Sequence, residues 1–582
     1  MARSLVDVLS SHASARPDTT AYRFMTTGER DGDVEELTYA RLGRRARAIG
    51  AHLQERGLSG SRAMLLYPPG VEFVSGFMGC LSAGVIAVPS VPPQGRVQNL
   101  RTLSRMRRMI ADADVKVILA TRQVLAGLES VSGQHFPELS SMTCVATEEI
   151  PDTAGDSWRE PELAPDSVAF LQYTSGSTSA PRGVMVTHGN LMHNQLALTE
   201  RMGHTPEVLE RWDGELYVSW LPLYHDLGLI APVLNNLYVG GTSTLLSPLH
   251  FLQKPERWLD AISHYRPHTS GGPNFAYELC LRRASPELLE GLDLSRWRVA
   301  LNGAEPVRAT TMRRFADAFA AAGFRRESHF PCYGLAEATL MVTGSSVDRA
   351  PTLVDRSEVG SMSGTVKDRE LVSSGRPGIG ITVVIADTER HAECPEGEVG
   401  EIWVAGESVT HGYWRNVRAT REVFRASLTD GRGGFLRTGD LGFMRDGEVF
   451  VTGRLKDLLV IGGRNHYPQD LELTVEMADP GVRPGCIAAF SVDDDTAGEQ
   501  PVVVAEVAQE AAHRSDEIEA AIRGAVGEAH GLSLRDVVLI GRGTIAKTSS
   551  GKIQRKTTRA AYLEGTLSAI DRTALAAGTA AQ

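Results

Sequence analysis

Residues 174–183 combine the side chains and the backbone freedom that phosphate binding requires. They read Thr-Ser-Gly-Ser-Thr-Ser-Ala-Pro-Arg-Gly between two apolar, β-branched runs, 168–173 and 184–188. This pattern predicts a strand, a loop and a second strand. Gly176 lets the backbone approach a ligand, and Arg182 adds a cation whose planar fork suits phosphate oxygens. The hydroxyl donors of the loop are those of Thr174, Ser175, Ser177 and Thr178.

The loop is not one of the common nucleotide loops. Neither G-x-x-x-x-G-K-[ST] nor G-x-G-x-x-G opens a helix here. A solvated Ser/Gly hinge is the alternative interpretation of this composition.

His225 and Asp226 interrupt the otherwise apolar and aromatic stretch 219–230. Burying these two polar side chains costs free energy unless they are paired or used in function. The alternative for His225 is a structural histidine whose ring nitrogens are satisfied within the core.

Glu337 and Tyr333 flank Gly334 and carry different chemistry. A carboxylate placed just after a glycine turn can hold Mg²⁺ that bridges phosphates, since Mg²⁺ takes only one or two carboxylates besides phosphate oxygens. An aromatic ring beside a glycine can lie along a purine. The alternative for Glu337 is a helix-turn carboxylate without a ligand.

Two further stretches carry glycines or charges at informative spacing. Gly271-Gly272 before Pro273 lets the backbone pass close to a flat or linear ligand.

Near the end of the chain, Lys552 lies in a basic stretch, 547–555. A solvated basic loop is the alternative there, and it would include Lys547, Arg555 and Lys556.

Asp446-Gly447 is a strong hairpin signal between the runs 435–443 and 449–457. The hairpin places Asp440 and Arg454 near its opposite ends. A carboxylate accepts hydrogen bonds from both hydroxyls of a ribose, and a guanidinium reaches ribose or phosphate oxygens. A surface ion pair, which stabilises little, is the alternative.

The elements that must position these residues alternate along the chain. Apolar runs at 21–25, 63–67, 85–88 and 115–120 alternate with helical patterns, one of them capped by Thr38. Such alternation predicts an α/β fold with parallel strands, helices on both sheet faces and ligands beyond the strand ends.

Composition excludes several functional classes. The net charge of −11 argues against a nucleic-acid partner and against an anionic membrane surface. Neither a basic leader followed by an apolar run nor a membrane-length apolar stretch is seen, so we expect a cytoplasmic protein without stable membrane association. The six cysteines form no C-x-x-C pair, so neither a zinc site nor a disulfide framework is indicated.

These motifs, in this order over residues 168–555, resemble those of the adenylate-forming superfamily, which includes acyl-CoA synthetases, peptide-synthetase adenylation domains and firefly luciferase. The resemblance implies a large N-terminal adenylation domain, 1–455, of two helix-covered β-sheets plus a distorted β-barrel. It also implies a small, mobile α+β C-terminal domain, 456–582, with the hinge at Lys456 and Asp457.

The resemblance also implies the site residues, with ATP and Mg²⁺ as cofactors. Catalytic roles fall to Lys552, Arg182 and His225, and the metal ligands are Glu337 and Thr174. Arg182 departs from the lysine that is common in the family. The residues implied to bind ATP or AMP are Thr174, Ser175, Gly176, Ser177, Thr178, Asn302, Gly303, Ala304, Tyr333, Gly334, Asp440 and Arg454. Those implied to bind the acyl group are His225, Gly271, Gly272, Asn274 and Phe275.

Within the superfamily, the stretches 171–181, 272–277 and 463–470 look like those of the fatty acyl-AMP ligases. A polar segment between Thr339 and Ser374, containing Gly360, Ser361, Ser363 and Gly364, stands where that branch has an insertion that restrains domain rotation and disfavours CoA. The resemblance therefore implies a fatty acid as substrate and a holo acyl carrier protein as acceptor, in polyketide or lipopeptide synthesis. Because the tail has no Asp-Ser-Leu attachment motif, we expect the carrier to be a separate protein. An acyl-CoA ligase and a binding module without turnover are the alternatives.

Overall fold

The structure, a computed structural model, describes residues 3–93, 96–135, 139, 142–174, 181–359, 370–461, 464–494, 498–548 and 551–570. The chain forms two compact units. The first comprises Met1–Thr352, Ser374–Val384 and Trp403–Thr438, and the second comprises Leu353–Ser373, Ile385–Ile402 and Gly439–Gln582. The expected domain boundary after residue 455 stays a prediction.

The strands of the described residues are β1 (Thr20–Met25), β2 (Val34–Thr38), β3 (Arg62–Leu66), β4 (Ile86–Pro89), β5 (Val117–Ala120), β6 (Thr143–Ala146), β7 (Val168–Thr174), β8 (Arg182–Thr187), β9 (Tyr217–Ser219), β10 (Ser243–Leu246), β11 (Thr269–Gly272), β12 (Val299–Asn302), β13 (His329–Gly334), β14 (Met341–Gly344), β15 (Leu353–Asp355), β16 (Glu370–Val372), β17 (Arg376–Pro377), β18 (Ile381–Ala386), β19 (Gly400–Gly406), β20 (Ala426–Ser427), β21 (Gly433–Arg445), β22 (Glu448–Arg454), β23 (Leu459–Ile461), β24 (Arg464–His466), β25 (Val482–Asp494), β26 (Gly498–Val507) and β27 (Asp536–Ile540).

The α-helices of the same residues are α1 (Leu5–Ala15), α2 (Tyr39–Glu55), α3 (Val71–Ala83), α4 (Arg96–Ala113), α5 (Arg122–His135), α6 (His188–Met202), α7 (Pro206–Glu210), α8 (Asp226–Leu229), α9 (Asn236–Val239), α10 (Pro248–Gln253), α11 (Glu256–Tyr265), α12 (Asn274–Leu281), α13 (Pro286–Glu290), α14 (Ala309–Phe319), α15 (Val417–Phe424), α16 (Pro468–Glu476), α17 (Ser515–His530) and α18 (Arg555–Leu563).

A nine-stranded sheet in the first unit brings several of the predicted segments to one edge. Its order is β17-β14-β13-β12-β11-β9-β10-β1-β2. The neighbours from β13 through β12, β11, β9 and β10 to β1 are all parallel. Because parallel strands end at the same sheet edge, the segments that follow β9, β11, β12 and β13 come together there.

A six-stranded sheet, ordered β6-β5-β3-β4-β7-β8, is the second sheet of this unit. Helix α3 packs against strands of both sheets. All of its residues except Glu72 are buried, as an almost uniformly apolar helix requires. A Cβ at Gly79 would lie 2.4 Å from Ile49 Cγ2, so glycine permits the close packing of α3 on α2.

A five-stranded sheet is the counterpart of the expected distorted barrel. Its order is β18-β19-β21-β20, and β22 also pairs with β21. The predicted turn joins β21 to β22, with positive φ at both Asp446 (52°) and Gly447 (74°). These dihedral signs suit the tight turn of a twisted hairpin.

In the second unit, the sheet β25-β26-β27 separates two apolar clusters. One face packs on α16 and α17, with Leu471 and Ile522 among its residues. The other face carries Phe490 and contacts Tyr562 of α18. The two faces use alternate residues of each strand, as the two-residue period of a strand requires.

The predicted α/β class with two helix-covered sheets is confirmed. Thr38 caps α2, since its side chain accepts a hydrogen bond from the Arg41 backbone N–H. The strands predicted at 168–173 and 184–188 are β7 and β8. None of the helices in the described part of the chain is long and apolar enough to cross a membrane.

His204 is a neutral, fully buried histidine in the first unit. Its Nδ1 lies 2.9 Å from Asn235 Oδ1 and its Nε2 lies 2.8 Å from Thr269 Oγ1. Because Asn235 Oδ1 is an acceptor, Nδ1 carries the proton and Nε2 accepts from the Thr269 hydroxyl. Burial lowers the pKa of His204 to about 4.

We expect the unfolding free energy to fall as the pH is lowered below 6.5, the ordinary pKa of histidine. The pKa of His204 is lower in the folded chain than in the unfolded chain. As the pH falls, the unfolded chain therefore binds the proton at a higher pH than the folded chain does. At pH 5 this costs about 2 kcal/mol for each such histidine. The same direction holds for His188 and His329. The His204→Gln variant lacks one of these titrating groups, so we expect a shallower slope of unfolding free energy against pH. The unfolding free energy is measured by tryptophan fluorescence in urea at each pH. An unchanged slope would contradict the assignment.

Candidate active site

The predicted acyl segment lies at the end of β11, directly beside β12. Gly271 pairs with Leu301 and Gly272 pairs with Asn302. A Cβ at Gly271 would lie 2.3 Å from the Leu301 carbonyl oxygen, and one at Gly272 would lie 2.6 Å from Trp220 Cζ2. Both glycines are therefore required by close neighbours within the protein.

Aromatic side chains surround this segment. Trp220 stacks on Phe251 with ring centroids 4.1 Å apart and meets Phe275 edge-on at 5.9 Å. The backbone N–H of Phe275, at the start of α12, donates to Glu305 Oε1 at 2.8 Å. These rings form an apolar wall next to the strand ends.

Asn274 is engaged within the protein. Its Nδ2 donates to Thr311 Oγ1 at 3.1 Å, and its Oδ1 accepts from the Arg308 backbone N–H at 3.2 Å. The side chain therefore holds the start of α12 against the residues around the start of α14.

His225 and Asp226 follow β9 and pair with each other. His225 Nδ1 lies 2.6 Å from Asp226 Oδ1, and both side chains are partly buried. Gln172 Nε2 of β7 donates to the Tyr224 carbonyl oxygen at 3.1 Å. Each of these partly buried polar side chains therefore has a partner, as the apolar surroundings in the sequence require.

The two predicted adenine segments lie at the ends of neighbouring parallel strands. Asn302 of β12 pairs with Pro331 of β13, so 302–304 lies next to 332–334. Asn302 is fully buried, and neither atom of its side-chain amide has a hydrogen-bond partner among the described residues. A buried amide is costly unless water or another polar group supplies its hydrogen bonds. Ala304 has φ of +67°, which is rare for a residue with a side chain.

Tyr333 and Gly334 complete this second segment. Tyr333 is buried at 9 % exposure. A Cβ at Gly334 would lie 1.8 Å from the Leu340 carbonyl oxygen, so only glycine fits there.

Glu337 is joined to Tyr413, a residue that the sequence analysis did not single out. The Tyr413 hydroxyl donates to Glu337 Oε1 at 2.7 Å. Burial, followed by the Glu337 carboxylate, raises the pKa of Tyr413, so the phenol keeps its proton. Arg182 lies over the Tyr413 ring, with its guanidinium carbon 5.3 Å from the ring centroid.

The phosphate loop is described only at its two ends. Thr174 ends β7, Arg182 begins β8, and the two residues are partners in the antiparallel ladder. Ser175, Gly176, Ser177 and Thr178 lie outside the described residues. Thr174, Arg182 and Glu337 are therefore connected through β8 and Tyr413 within the first unit.

Asp440 and Arg454 lie directly opposite each other, and not near opposite ends of the hairpin as the sequence analysis placed them. They pair across β21 and β22, and Arg454 Nε lies 3.0 Å from Asp440 Oδ1. The two strands are antiparallel, and their ladder contains one β-bulge. Both residues therefore lie at the open end of the hairpin. Asp440 is buried, whereas the Arg454 side chain is 59 % exposed.

Lys552 lies on a short hairpin of the second unit. Thr548 N–H donates to the Lys552 carbonyl at 2.8 Å, and Lys552 N–H donates to Thr548 Oγ1 at 3.0 Å. Below them, Gln554 N–H donates to the Ala546 carbonyl at 2.9 Å. Gly551 has φ of +86°, a conformation that glycine adopts readily.

Arg555, at the foot of this hairpin, is not the solvated cation that one interpretation proposed. It forms a fork to Glu472, with Nε–Oε1 at 2.6 Å and Nη2–Oε2 at 2.7 Å, and contacts Asp457 Oδ2 at 3.1 Å. Burial alone would lower the pKa of Arg555, but the Glu472 and Asp457 carboxylates outweigh it and raise that pKa. Lys456 and Asp457, the predicted hinge, lie in the 3-10 turn Leu455–Asp457.

The flanks of the predicted insertion are also ordered within the second unit. β15 and β16 pair antiparallel on either side of it. Arg356 forks onto Asp470 with distances of 2.6 and 2.9 Å. The segment with Gly360, Ser361, Ser363 and Gly364 lies outside the described residues.

Comparison with known proteins identifies this arrangement. Residues 9–414 match the AMP-binding enzyme family, and residues 456–572 match the AMP domain of the Disco-interacting protein 2-like group. The chain belongs to the AMP-binding enzyme family. The first match spans well over half of the chain, and the matched part holds all of the predicted site residues of the first unit.

Relatives of this AMP-binding enzyme include fatty acyl ligases. It is 41 % identical to the medium-chain-fatty-acid–acyl-carrier-protein ligase JamA of Moorena producens, over 97 % of this chain and 96 % of that protein. It is 37 % identical to the long-chain-fatty-acid–AMP ligase FadD32 of Mycolicibacterium smegmatis, over 97 % and 95 %. A fatty acyl-adenylate ligase from L. pneumophila, solved with acyl adenylate and pyrophosphate, has a TM-score of 0.72 at 36 % identity, covering 97 % of each chain. The predicted resemblance to fatty acyl-AMP ligases is confirmed.

Sequence reasoning missed Tyr413 and Glu472 as partners of the predicted residues. It had singled out Asp226 together with His225, because the two polar residues adjoin in an apolar stretch. Tyr413 and Glu472 are far in sequence from Glu337 and Arg555, so only the folded chain reveals these contacts.

We expect Arg555→Ala to destabilise the second unit by about 3–5 kcal/mol, because it leaves the buried Glu472 carboxylate and the partly buried Asp457 carboxylate without their cation. Arg559→Ala is the matched control. That arginine is more exposed and contacts the Ser491 carbonyl, so we expect a loss of at most about 1 kcal/mol. All seven tryptophans lie in the first unit. Hydrogen exchange of peptides from α16 and α18 is therefore the measurement, and equal protection in both variants would contradict the role of Arg555.

Proposed function

We propose that this enzyme adenylates a fatty acid with ATP, releasing pyrophosphate, and then passes the acyl group to the phosphopantetheine thiol of a separate acyl carrier protein. The observation that carries the proposal is the meeting of the acyl segment and the two adenine segments at the ends of β11, β12 and β13. The names of JamA and FadD32 support a fatty acid as the substrate, an acyl adenylate as the product of the first step and an acyl carrier protein as the acceptor.

The nucleotide is assigned to the strand ends next to Asn302. Its orphaned amide offers a donor and an acceptor, which is what the edge of an adenine presents in return. Tyr333 and Gly334 lie beside it on β13. Asp440 and Arg454 are assigned to the ribose and its phosphate, in keeping with the resemblance.

The residues present fit a magnesium ion. Glu337 supplies a carboxylate and Thr174 a hydroxyl oxygen, which are the hard ligands that Mg²⁺ prefers, and the remaining ligands are expected from phosphate oxygens and water. When bound, the ion would neutralise charge on the phosphates. A single protein carboxylate is sufficient for that purpose.

No side chain needs to act as a nucleophile, because the fatty-acid carboxylate itself attacks the α-phosphorus. The protein aligns the two reactants and stabilises the developing charge. Arg182 and the donors of the loop are assigned to bind the leaving phosphates, and Lys552 is assigned to bind the oxygens of the carboxylate and of the α-phosphate.

The apolar wall of Trp220 and Phe275 suits an alkyl chain, and His225 is assigned to the pocket that holds this alkyl chain. Lys456 and Asp457 are assigned as the hinge.

The test of the function offers two acceptors to the purified chain with ATP, Mg²⁺ and a mixture of fatty acids. One reaction contains CoA and the other a phosphopantetheinylated carrier protein, and products are read by mass spectrometry. We expect acyl-AMP to persist with CoA and to be consumed by the carrier. Efficient acyl-CoA formation would instead identify an acyl-CoA ligase, and binding of ATP without any acyl-AMP would identify a module without turnover.

We expect Lys552→Ala to lower the rate of acyl-AMP formation by about 10²–10³-fold while ATP binding stays within about twofold, since one preorganised charge is lost from the transition state. Lys556→Ala is the matched control, because Lys556 is an exposed lysine at the start of α18, four residues after Lys552. Single-turnover formation of acyl-AMP and calorimetric ATP binding are the measurements. Near-normal turnover in Lys552→Ala would overturn the role of this lysine.

A further inference from the structure

The segment 412–414 runs beside β8 and is fixed by backbone hydrogen bonds. Trp414 N–H donates to the Gly183 carbonyl at 2.7 Å, and Met185 N–H donates to the Gly412 carbonyl at 2.9 Å. Tyr413 itself forms a bridge with Val184. The position of the Tyr413 ring is therefore set by the strand that begins at Arg182.

The residues just before this segment, 408–410, hold the turn that carries Glu337. Thr410 N–H donates to the Glu337 carbonyl at 2.9 Å, and Thr339 Oγ1 donates to the Ser408 carbonyl at 2.7 Å. Thr339 has φ of +68°, a strained conformation for a β-branched residue. Such strain persists where surrounding contacts fix it, and Ser408 and Thr410 supply these contacts.

Tyr413 makes two different contacts with the predicted phosphate and metal residues. Its hydroxyl donates to Glu337 Oε1 at 2.7 Å, a charge-assisted hydrogen bond that fixes the rotation of the carboxylate. Its ring lies under the Arg182 guanidinium at 5.3 Å, within the range of a cation–π interaction. Phe424 supports the ring edge-on at 5.2 Å.

We infer that Tyr413 is a positioning residue for magnesium-dependent ATP binding: its hydroxyl orients the Glu337 carboxylate toward the ion, and its ring holds Arg182 for the phosphates. The inference rests on the proposed function for the roles of Glu337 and Arg182. Two substitutions address its two halves: phenylalanine keeps the ring and loses the hydroxyl, whereas leucine loses both.

The experiment measures ATP affinity by calorimetry on the full chain, once in EDTA and once with saturating Mg²⁺. For Tyr413→Phe we expect wild-type affinity in EDTA and a gain from Mg²⁺ that is about 10-fold smaller, which corresponds to the loss of one hydrogen bond to a charged group. For Tyr413→Leu we expect the same smaller gain and, in EDTA, an affinity about 3-fold weaker, since the cation–π contact is also lost.

Phe424→Leu is the matched control, because it removes the ring that packs against Tyr413 and leaves both of its functional contacts. We expect it to lower the melting temperature while the EDTA affinity and the gain from Mg²⁺ stay within about twofold of wild type, since it touches packing alone. If Phe424→Leu reproduced the Tyr413→Phe result, Tyr413 would have only a packing role. A full Mg²⁺ gain in Tyr413→Phe would also overturn the inference.

These outcomes are distinct from a failure of the proposed function. Binding of ATP is measured without a fatty acid. If the enzyme bound Mg²⁺ and ATP but adenylated a different acid, the proposed substrate would be wrong and the role of Tyr413 would stand. Acyl-AMP formation by wild type together with a full Mg²⁺ gain in Tyr413→Phe would overturn the inference alone. A wild-type chain that bound no ATP would overturn both.

Discussion

The parallel hydrogen bonding of β11, β12 and β13 is the constraint on which the site of the first unit depends. The ladder places Gly272 beside Asn302 and Asn302 beside Pro331, so three segments separated by dozens of residues end at one edge. Parallel strands require crossover connections, and here these connections are helices such as α12 and α14. The acyl wall and the nucleotide segments become neighbours through this backbone pattern, before any side chain is considered.

Close approach of backbones then limits the residues at that edge. Gly271 and Gly334 face carbonyl oxygens at distances that no Cβ tolerates. Ala304 and Thr339 instead adopt positive φ with side chains present, and both lie within three residues of a predicted nucleotide or metal residue. Strain that is maintained by surrounding contacts at a site is typical of preorganised catalytic centres.

In the second unit, buried charge has a different role. Arg555 and Arg356 each form a fork with a carboxylate of α16, Glu472 and Asp470 respectively. A planar guanidinium fixes both the distance and the orientation of its partner, which a lysine does not do. The hairpin of Lys552 and the flank of the insertion are thereby attached to the same helix by directional contacts.

Much of the fold was predictable from local sequence. The alternation of apolar runs and helical patterns predicted the α/β class, and the cap at Thr38 and the Asp446-Gly447 turn were found where local chemistry placed them. The hairpin geometry of Asp440 and Arg454 was misjudged, because antiparallel pairing with a bulge, and not distance along the chain, determines which residues face each other.

The sequence by itself determined the family, the order of the motifs and the chemical types of the site residues, because those depend on residue identity and short-range spacing. Only the tertiary structure decided which partners these residues have: Tyr413 for Glu337 and Arg182, and Glu472 for Arg555. It also showed that the amide of Asn302 has no partner among the described residues. Hydrogen bonds and ring contacts act over a few ångströms in space, and residues 76 positions apart, such as Glu337 and Tyr413, meet only after the strands between them have paired.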